Sequence, residues 1–592
     1  VTVTHTSDVS MATDLSVAHD VRETTHTAEV TDVHEPICDL VPAALRRSWA
    51  ADGSYPDLDL YALFRARRCA DRHRTAVIDP QGAMSYAQLD RQARCLAVGL
   101  AATGVRPGDV VGVQVPGGRH AVIADLALAA LGAIALPFPV GRGRCEAASL
   151  LGRSGAAAVI AATEHRGNHH AEDLLALSAE LPTLRTVIAS GAGHAPTGCV
   201  SFEELLTSDD AAFTPARPDP DSVARILVSS GSEAEPKMVA YSHNALAGGR
   251  GNFMASLLAD GQPPRNLFLV PLASAFGSSG TAVTLARHGG TLVLLDRFDA
   301  DAALDAIGRH RPTHLFAVPT MVRMLLEHLD RMPADTSSLT AMVLGGAPLD
   351  PGTAAEARRA FGCAVVNLYG SADGVNCHTG CGAEPRPNGG PGIAVGHPDP
   401  RVADIRIADL DAPRGDIVAA PPGVAGEIVA RGPMTPLSYV GSPELDARYR
   451  APGGWVRTGD LGMLDDDGTL RLVGRLKDIV IRGGANISPV EVEQHLLTHP
   501  QVREAVCVGV PDRLMGERLG ACVVSKQGQE LTLKELCRHL DERTLERRKH
   551  PEALLLLQEL PLTPAGKPDR AALRAELARA GARHVGAEEV VG

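Results

Sequence analysis

Apolar and polar positions alternate along the chain in a way that predicts helices and strands following one another. Ser85-Tyr86-Ala87-Gln88 reads as a helix start, with Ser85 as N-cap and Gln88 completing a capping box. Leu89, Ala93, Leu96 and Leu100 recur at spacings of four, three and four, which places them on one helical face, and Gly104 ends the pattern. Val110, Val111, Val113 and Val115 then predict a buried strand. An apolar helix over Val122 to Leu131 and a strand over Ile134 to Pro137 come next, and Ser154 to Ile160 enters a further strand. Met342 to Pro348 predicts a strand ending in a tight glycine turn. Such alternation implies an α/β fold of mostly parallel, doubly wound sheets. Nearer the C-terminus, Asp465-Asp466-Asp467-Gly468 predicts a hairpin turn. Ser488-Pro489-Val490-Glu491 predicts a helix with N-cap, first-turn proline and capping-box glutamate. A strand from Val502 to Val510 and a helix opened by Thr532 and Glu535 complete a small α+β domain.

A length of 592 residues exceeds one compact core, so at least two domains are expected. The formal charge of −13 argues against nucleic acid or an anionic membrane as the main partner. It leaves room for a local basic pocket. Eleven cysteines scattered without a framework predict reduced thiols in a cytoplasmic protein. Residues 1–40, rich in Thr, Val, Asp and His, contain no continuous apolar core. They are expected to form a flexible extension rather than a signal peptide or membrane span, with Met11 as an alternative start. Cys377-His378-Thr379-Gly380-Cys381 lacks the second ligand pair of a structural zinc site. His169-His170 reads as surface.

The chemistry centres on Leu227 to Asn244. There an apolar run enters a loop of Ser229, Ser230, Gly231 and Ser232, closed by Pro236 and Lys237. Small hydroxyl and glycine residues let backbone N–H groups converge on an anion. Walker A spacing fails, because Pro236 stands where that motif needs glycine. The stretch resembles the phosphate loop of the acyl-adenylate-forming superfamily, which contains the acyl-CoA ligases, the adenylation domains of peptide synthetases and the luciferases. The family pattern is Ser-Gly-Thr-Thr-Gly-x-Pro-Lys-Gly, and Glu233, Ala234 and Met238 depart from it. Further segments carry the resemblance in order from about Val41 to Arg570. Pro271 to Gly277 resembles the acyl-pocket segment, with Ser274, Ala275, Phe276 and Gly277 joined by Gly345 as lining. Gly346 and Ala347 occupy the turn under the adenine. Asn367-Leu368-Tyr369-Gly370-Ser371-Ala372-Asp373 matches Tyr-Gly-x-Thr-Glu, so Tyr369 would stack on adenine and Asn367 would read its amino edge. Gly426 to Pro433 resembles a signature strand and turn of a β-subdomain.

Asp460 matches the carboxylate placed on the ribose hydroxyls, and Arg475 the ribose-contacting arginine. Lys477 matches the hinge about which the small domain swings, Gly484 the loop near the pantetheine arm, and Lys567 the lysine of the adenylation step. The resemblance implies a large domain over 41–474 and a C-terminal lid over 475–592. It also implies ATP, Mg²⁺ and CoA as cofactors and co-substrates, with an acyl-AMP intermediate. At the phosphate side, Ala372 replaces the threonine expected at the α-phosphate, and Asp373 shortens the Mg²⁺-binding glutamate. Glu233 adds a like charge worth about 4 kcal/mol at ~4 Å and an effective dielectric of ~20. Together with Ala234, these three changes predict an acyl-CoA ligase for a bulky apolar acid, weak in adenylation and using acyl-AMP supplied by a separate enzyme. The alternatives are an ordinary two-step synthetase and a non-catalytic nucleotide-binding protein. No acidic residue in the pocket segment suits an α-amino acid.

Overall fold

A computed structural model describes residues 37–191, 193–229, 235–258, 261–329, 331–382, 392–413, 415–483, 485–526, 531–562 and 568–588. The expected extension falls almost wholly outside them. Short apolar strands build two sheets of the large domain. The eight-stranded sheet runs Asn376–His378, Ala364–Gly370, Ala341–Gly345, His314–Ala317, Arg265–Phe268, Thr291–Leu294, Thr75–Asp79 and Gly82–Ser85. Its six inner strands are parallel and its two edge strands antiparallel. The seven-stranded sheet runs Val200–Ser201, Thr186–Ser190, Ala158–Ala162, Val110–Gln114, Ile134–Pro137, Val223–Val228 and Met238–Ser242, with only the last antiparallel. The sheets are therefore mixed. Connections as short as Pro80-Gln81 allow a hairpin but no crossover, which accounts for an antiparallel edge.

Both sheets share one helical layer. The helix Tyr86–Ala102 starts with the expected capping box, and Leu89, Ala93, Leu96 and Leu100 are all fully buried. The helix Arg119–Leu131 is buried from Ala121 to Leu131 except at Asp125, as a helix apolar on nearly every side and lying between two layers must be. These helices pack in one core with Val111 and Ile160 of the smaller sheet and Phe316 and Val343 of the larger. Asp125 takes Arg225 at 2.7 Å and the Thr281 hydroxyl at 2.8 Å, so its charge is neutralised locally.

A six-stranded antiparallel sheet follows, with Trp455–Leu464 and Leu470–Arg475 joined by the expected hairpin at Asp465 to Gly468. The small C-terminal unit is a five-stranded sheet centred on Val502–Asp512 and Gly516–Ser525, covered by Pro489–Leu497, Leu533–Glu542 and Arg570–Glu588. The fold is thus α/β, with a large N-terminal and a small C-terminal domain. Two local expectations need correction. Ser488 caps its helix through the Glu491 amide, but the Glu491 carboxylate binds Lys549 at 2.8 Å instead of closing a capping box. An ammonium is the stronger attraction. His170 is buried at the start of the helix His170–Ser178, not on the surface.

Burial holds the imidazoles of His243, His288 and His314 neutral, each lowered to about 4. His243 Nδ1 accepts the Leu60 amide, a role that protonation would end. The unfolded chain binds more protons between pH 6.5 and 4, so stability should fall as pH drops through that window. The slope is up to ~1.4 kcal/mol per pH unit for each histidine. A melting temperature that declines from pH 7 to pH 5 is expected; a flat profile would contradict neutral burial.

Candidate functional site: a cleft between the sheets and the small domain

The carboxyl ends of the large-sheet strands open onto a cleft of about 2800 Å³, into which the small domain also projects. Ser229 and Lys237 form the base of the serine-glycine loop, which joins the antiparallel strands Val223–Val228 and Met238–Ser242. The Ser229 amide donates to the Lys237 carbonyl at 2.9 Å, and the Lys237 amide to Ser229 Oγ at 3.1 Å. Arg142 donates to the Ser229 carbonyl and Arg153 to the Pro236 carbonyl, bracing both sides. Ser230, Gly231, Ser232, Glu233 and Ala234 lie outside the described residues, as do Gly484 and Lys567.

The Lys237 side chain turns inward. Its ammonium sits 3.4 Å from Asp373 Oδ1 and 3.7 Å from the Tyr449 ring centroid, an ion pair completed by a cation–π contact. Tyr439 donates to the same Asp373 oxygen at 2.7 Å, and Ser371 donates to Oδ2 at 3.3 Å. Burial and the neighbouring Asp373 push the Tyr439 phenol well above its usual range, so it remains a donor. Asp373 therefore lies at the cleft with both oxygens already engaged. Ala372 presents no hydroxyl, and its carbonyl accepts from Tyr241 at 2.8 Å.

A second carboxylate sits beneath the turn of the neighbouring strand. Tyr369 donates to Asp460 Oδ2 at 2.8 Å, and Arg475 approaches Oδ1 at 2.9 Å. Each oxygen keeps acceptor capacity for a further donor. Burial, reinforced by Asp460, raises the Tyr369 phenol well above its usual range. Asn367 Nδ2 donates to the Ala394 carbonyl at 3.2 Å. Gly346 turns at φ +80°, a conformation that favours glycine, and brings Gly345, Gly346 and Ala347 to the cleft wall beside Asn367, Tyr369 and Gly370. Lys477 reaches the same cleft just beyond Arg475.

Ser274, Ala275 and Phe276 line the cleft, and Gly277 backs them. Ser274 caps the following turn by accepting the Gly277 amide at 2.9 Å, which explains a hydroxyl there. A Cβ on Gly277 would stand 2.0 Å from the Pro271 carbonyl, so only glycine fits. The helix that follows, Gly280–Arg287, is a π-helix, a form that concentrates at functional sites. Phe268 and Phe316 stack at 4.4 Å, and Phe276 meets Phe316 edge-on at 6.0 Å, giving this wall an aromatic character.

A single hard, oxygen-donating carboxylate, Asp373, fits the limited protein coordination typical of Mg²⁺ beside phosphates. Among the described residues no group of three or more His, Cys, Asp or Glu is arranged to hold a metal. Sequence reading missed Tyr439, Tyr449, Arg142 and Arg153. They belong to no shared motif, and only the fold brings them to the loop. Replacing Asp373 by Asn would leave the buried Lys237 ammonium without its counter-charge. A loss of about 3 kcal/mol in urea unfolding is expected; unchanged stability would contradict the pair's structural role.

With this geometry in place, comparison with known proteins is direct. The profile described as AMP-binding enzyme matches residues 64–440, and that of the AMP-binding enzyme C-terminal domain matches residues 491–567. The medium-chain fatty-acid–CoA ligase of Escherichia coli (strain K12) is 30% identical over 550 residues, covering 90% of this chain and 93% of that protein. The 2-hydroxy-7-methoxy-5-methyl-1-naphthoate–CoA ligase of Streptomyces carzinostaticus is 32% identical over 518 residues, 85% of this chain and 90% of its own. Among solved structures, the amide bond synthetase McbA from Marinactinospora thermotolerans superposes with a TM-score of 0.76 at 30% identity, covering 87% of this chain and 99% of that one. Matches of this extent at both ends of the cleft leave one family: the chain belongs to the AMP-binding enzymes, the acyl-adenylate-forming superfamily, and is a ligase of the AMP-forming acid–thiol type.

Proposed function

We propose that this ligase joins a bulky apolar carboxylic acid to coenzyme A through an acyl-adenylate. The observation that carries the reading is the meeting in one cleft of the Tyr369–Asp460–Arg475 cluster, the Lys237–Asp373 pair and the aromatic wall at Phe276. In this reading Asp460 accepts the ribose hydroxyls with Arg475 beside it. Gly346, Ala347, Asn367, Tyr369 and Gly370 hold the adenine. Ser229 to Ala234 and Lys237 face the phosphates, with Asp373 the residue that would hold Mg²⁺; the ion would offset phosphate charge there. A carboxylate oxygen attacks the α-phosphorus and pyrophosphate leaves, with Lys567 stabilising the developing charge. The small domain then turns about Lys477 and brings Gly484 to the thiol path. The CoA sulfur attacks the acyl carbon, releasing AMP.

Support for CoA and for an apolar acid comes from the relatives named for a medium-chain fatty acid and a naphthoate, and from the aromatic lining. A second reading has a specific observation behind it. Asp373 is already neutralised by Lys237 and Tyr439, and Ala372 offers no hydroxyl to the α-phosphate. That favours a ligase slow in adenylation and fed with acyl-AMP by a separate adenylating enzyme.

Acid-dependent ATP–pyrophosphate exchange and CoA-thioester formation, assayed with octanoate, cinnamate and 1-naphthoate, separate the readings. The two-step ligase is expected to show both. Thioester formed from synthetic acyl-AMP without exchange would establish the second reading, and neither activity would overturn both. Ala372→Thr should raise exchange by roughly tenfold, the worth of one hydrogen bond to a charged group; no gain would make the alanine neutral.

A further inference from the structure

A buried cation in the cleft has neither an assigned task nor a carboxylate partner. Arg250, on the helix Gly249–Leu257, is only 7% exposed and lines the same cavity. Its Nη1 donates to the Ala275 carbonyl at 2.9 Å, and its guanidinium carbon stands 5.2 Å from the Tyr241 ring centroid. Its Nε and Nη2 are buried without a geometric hydrogen bond among the described residues, and the electrostatic partner of the guanidinium is the neutral Tyr241 phenol rather than a carboxylate. Arg225 of the same cavity shows the contrast. Its Nε is also without a partner, but it meets Asp125 at 2.7 Å and the Leu272 carbonyl at 2.9 Å, so its charge is answered by a carboxylate of the protein. A buried guanidinium without a carboxylate partner is costly to the fold, and an anionic ligand in the cleft would offset that cost.

Placement narrows the ligand. Ala275 belongs to the acyl-pocket segment, and Tyr241, under the guanidinium, donates to the Ala372 carbonyl of the turn read as the α-phosphate site. Arg250 thus stands between the place proposed for the acyl group and the place proposed for the α-phosphate. The group that occupies that junction in an acid-activating enzyme is the carboxylate itself.

We infer that Arg250 is the residue that anchors the carboxylate of the acid substrate through its guanidinium, the fork turning from its buried position to the two oxygens when the acid binds. A planar fork suits a carboxylate in two-point contact, which lysine cannot reproduce. It also supplies donors on the side of the turn where Ala372 has lost a hydroxyl. This assignment rests on the acid-activating reading above but not on the identity of the thiol.

The test compares Arg250→Met and Arg250→Lys with the wild-type full chain. Steady-state kinetics use octanoate, cinnamate and 1-naphthoate, and calorimetry measures binding of each acid, of cinnamamide and of AMP. For Arg250→Met, the KM for the acid should rise about a hundredfold, while the KM for ATP and the affinity for AMP change less than threefold. Arg250→Lys should recover part of the loss. The wild type should prefer cinnamate to the uncharged cinnamamide, and Arg250→Met should lose that preference. The melting temperature of Arg250→Met should not fall, because an unanswered buried charge has gone. Unchanged acid affinity in Arg250→Met overturns the assignment, as does a falling melting temperature with acid preference intact, which marks a structural arginine. If the wild type forms no CoA thioester yet loses acid binding with Arg250, the CoA reading fails and the anchor stands. Absence of binding by all three acids to the wild type overturns the anchor.

Discussion

A buried carboxylate that must be answered from two sides organises this cleft. Asp460 sits on a strand of the antiparallel sheet, takes a hydrogen bond from Tyr369 on the eight-stranded sheet, and pairs with Arg475 at the end of the strand Leu470–Arg475. Leaving either oxygen unanswered would cost several kcal/mol, so the three elements are held in register by one charge. Tyr369 is thereby fixed with its ring at the cleft wall.

The same logic recurs at the phosphate side with a different balance. Lys237, Asp373, Tyr439 and Tyr449 satisfy one another, so both charges arrive at the reaction already spent. Recruiting either to a phosphate or a cation means exchanging a protein contact for a substrate contact. Arg250 is the opposite case, a cation with donors in reserve. The cleft therefore holds paired charges where the nucleotide is proposed to sit and an arginine without a carboxylate partner where the acid is proposed to sit.

Much of the fold was legible because local signals agreed with one another. The capping box at Ser85 and Gln88, the helical spacing of Leu89 to Leu100 and the strand Ile134–Pro137 needed no tertiary information. Glu491 was misread because a capping box is a local rule, and Lys549, 58 residues away in sequence, outbids it. The candidate site was legible only where a motif is contiguous. Tyr369, Asp460 and Arg475 stand in motifs, but their mutual contacts are not visible in them. Tyr439, Tyr449 and Arg250 lie outside every motif and act through the fold. Arg250 did leave one faint trace, a charge between the apolar stretches of Ala245 to Leu257 that surface exposure does not explain.

The central claim is that Asp460, oriented by Tyr369 and Arg475, is the seat of the adenosine group. Calorimetric titration of AMP into wild type and Asp460→Asn, with melting temperature as a check on folding, tests it most directly. A folded Asp460→Asn variant that binds AMP at least tenfold more weakly is the predicted result, in line with the loss of charged hydrogen bonds worth about 1.5–3 kcal/mol. AMP affinity equal to wild type in that folded variant would contradict the claim.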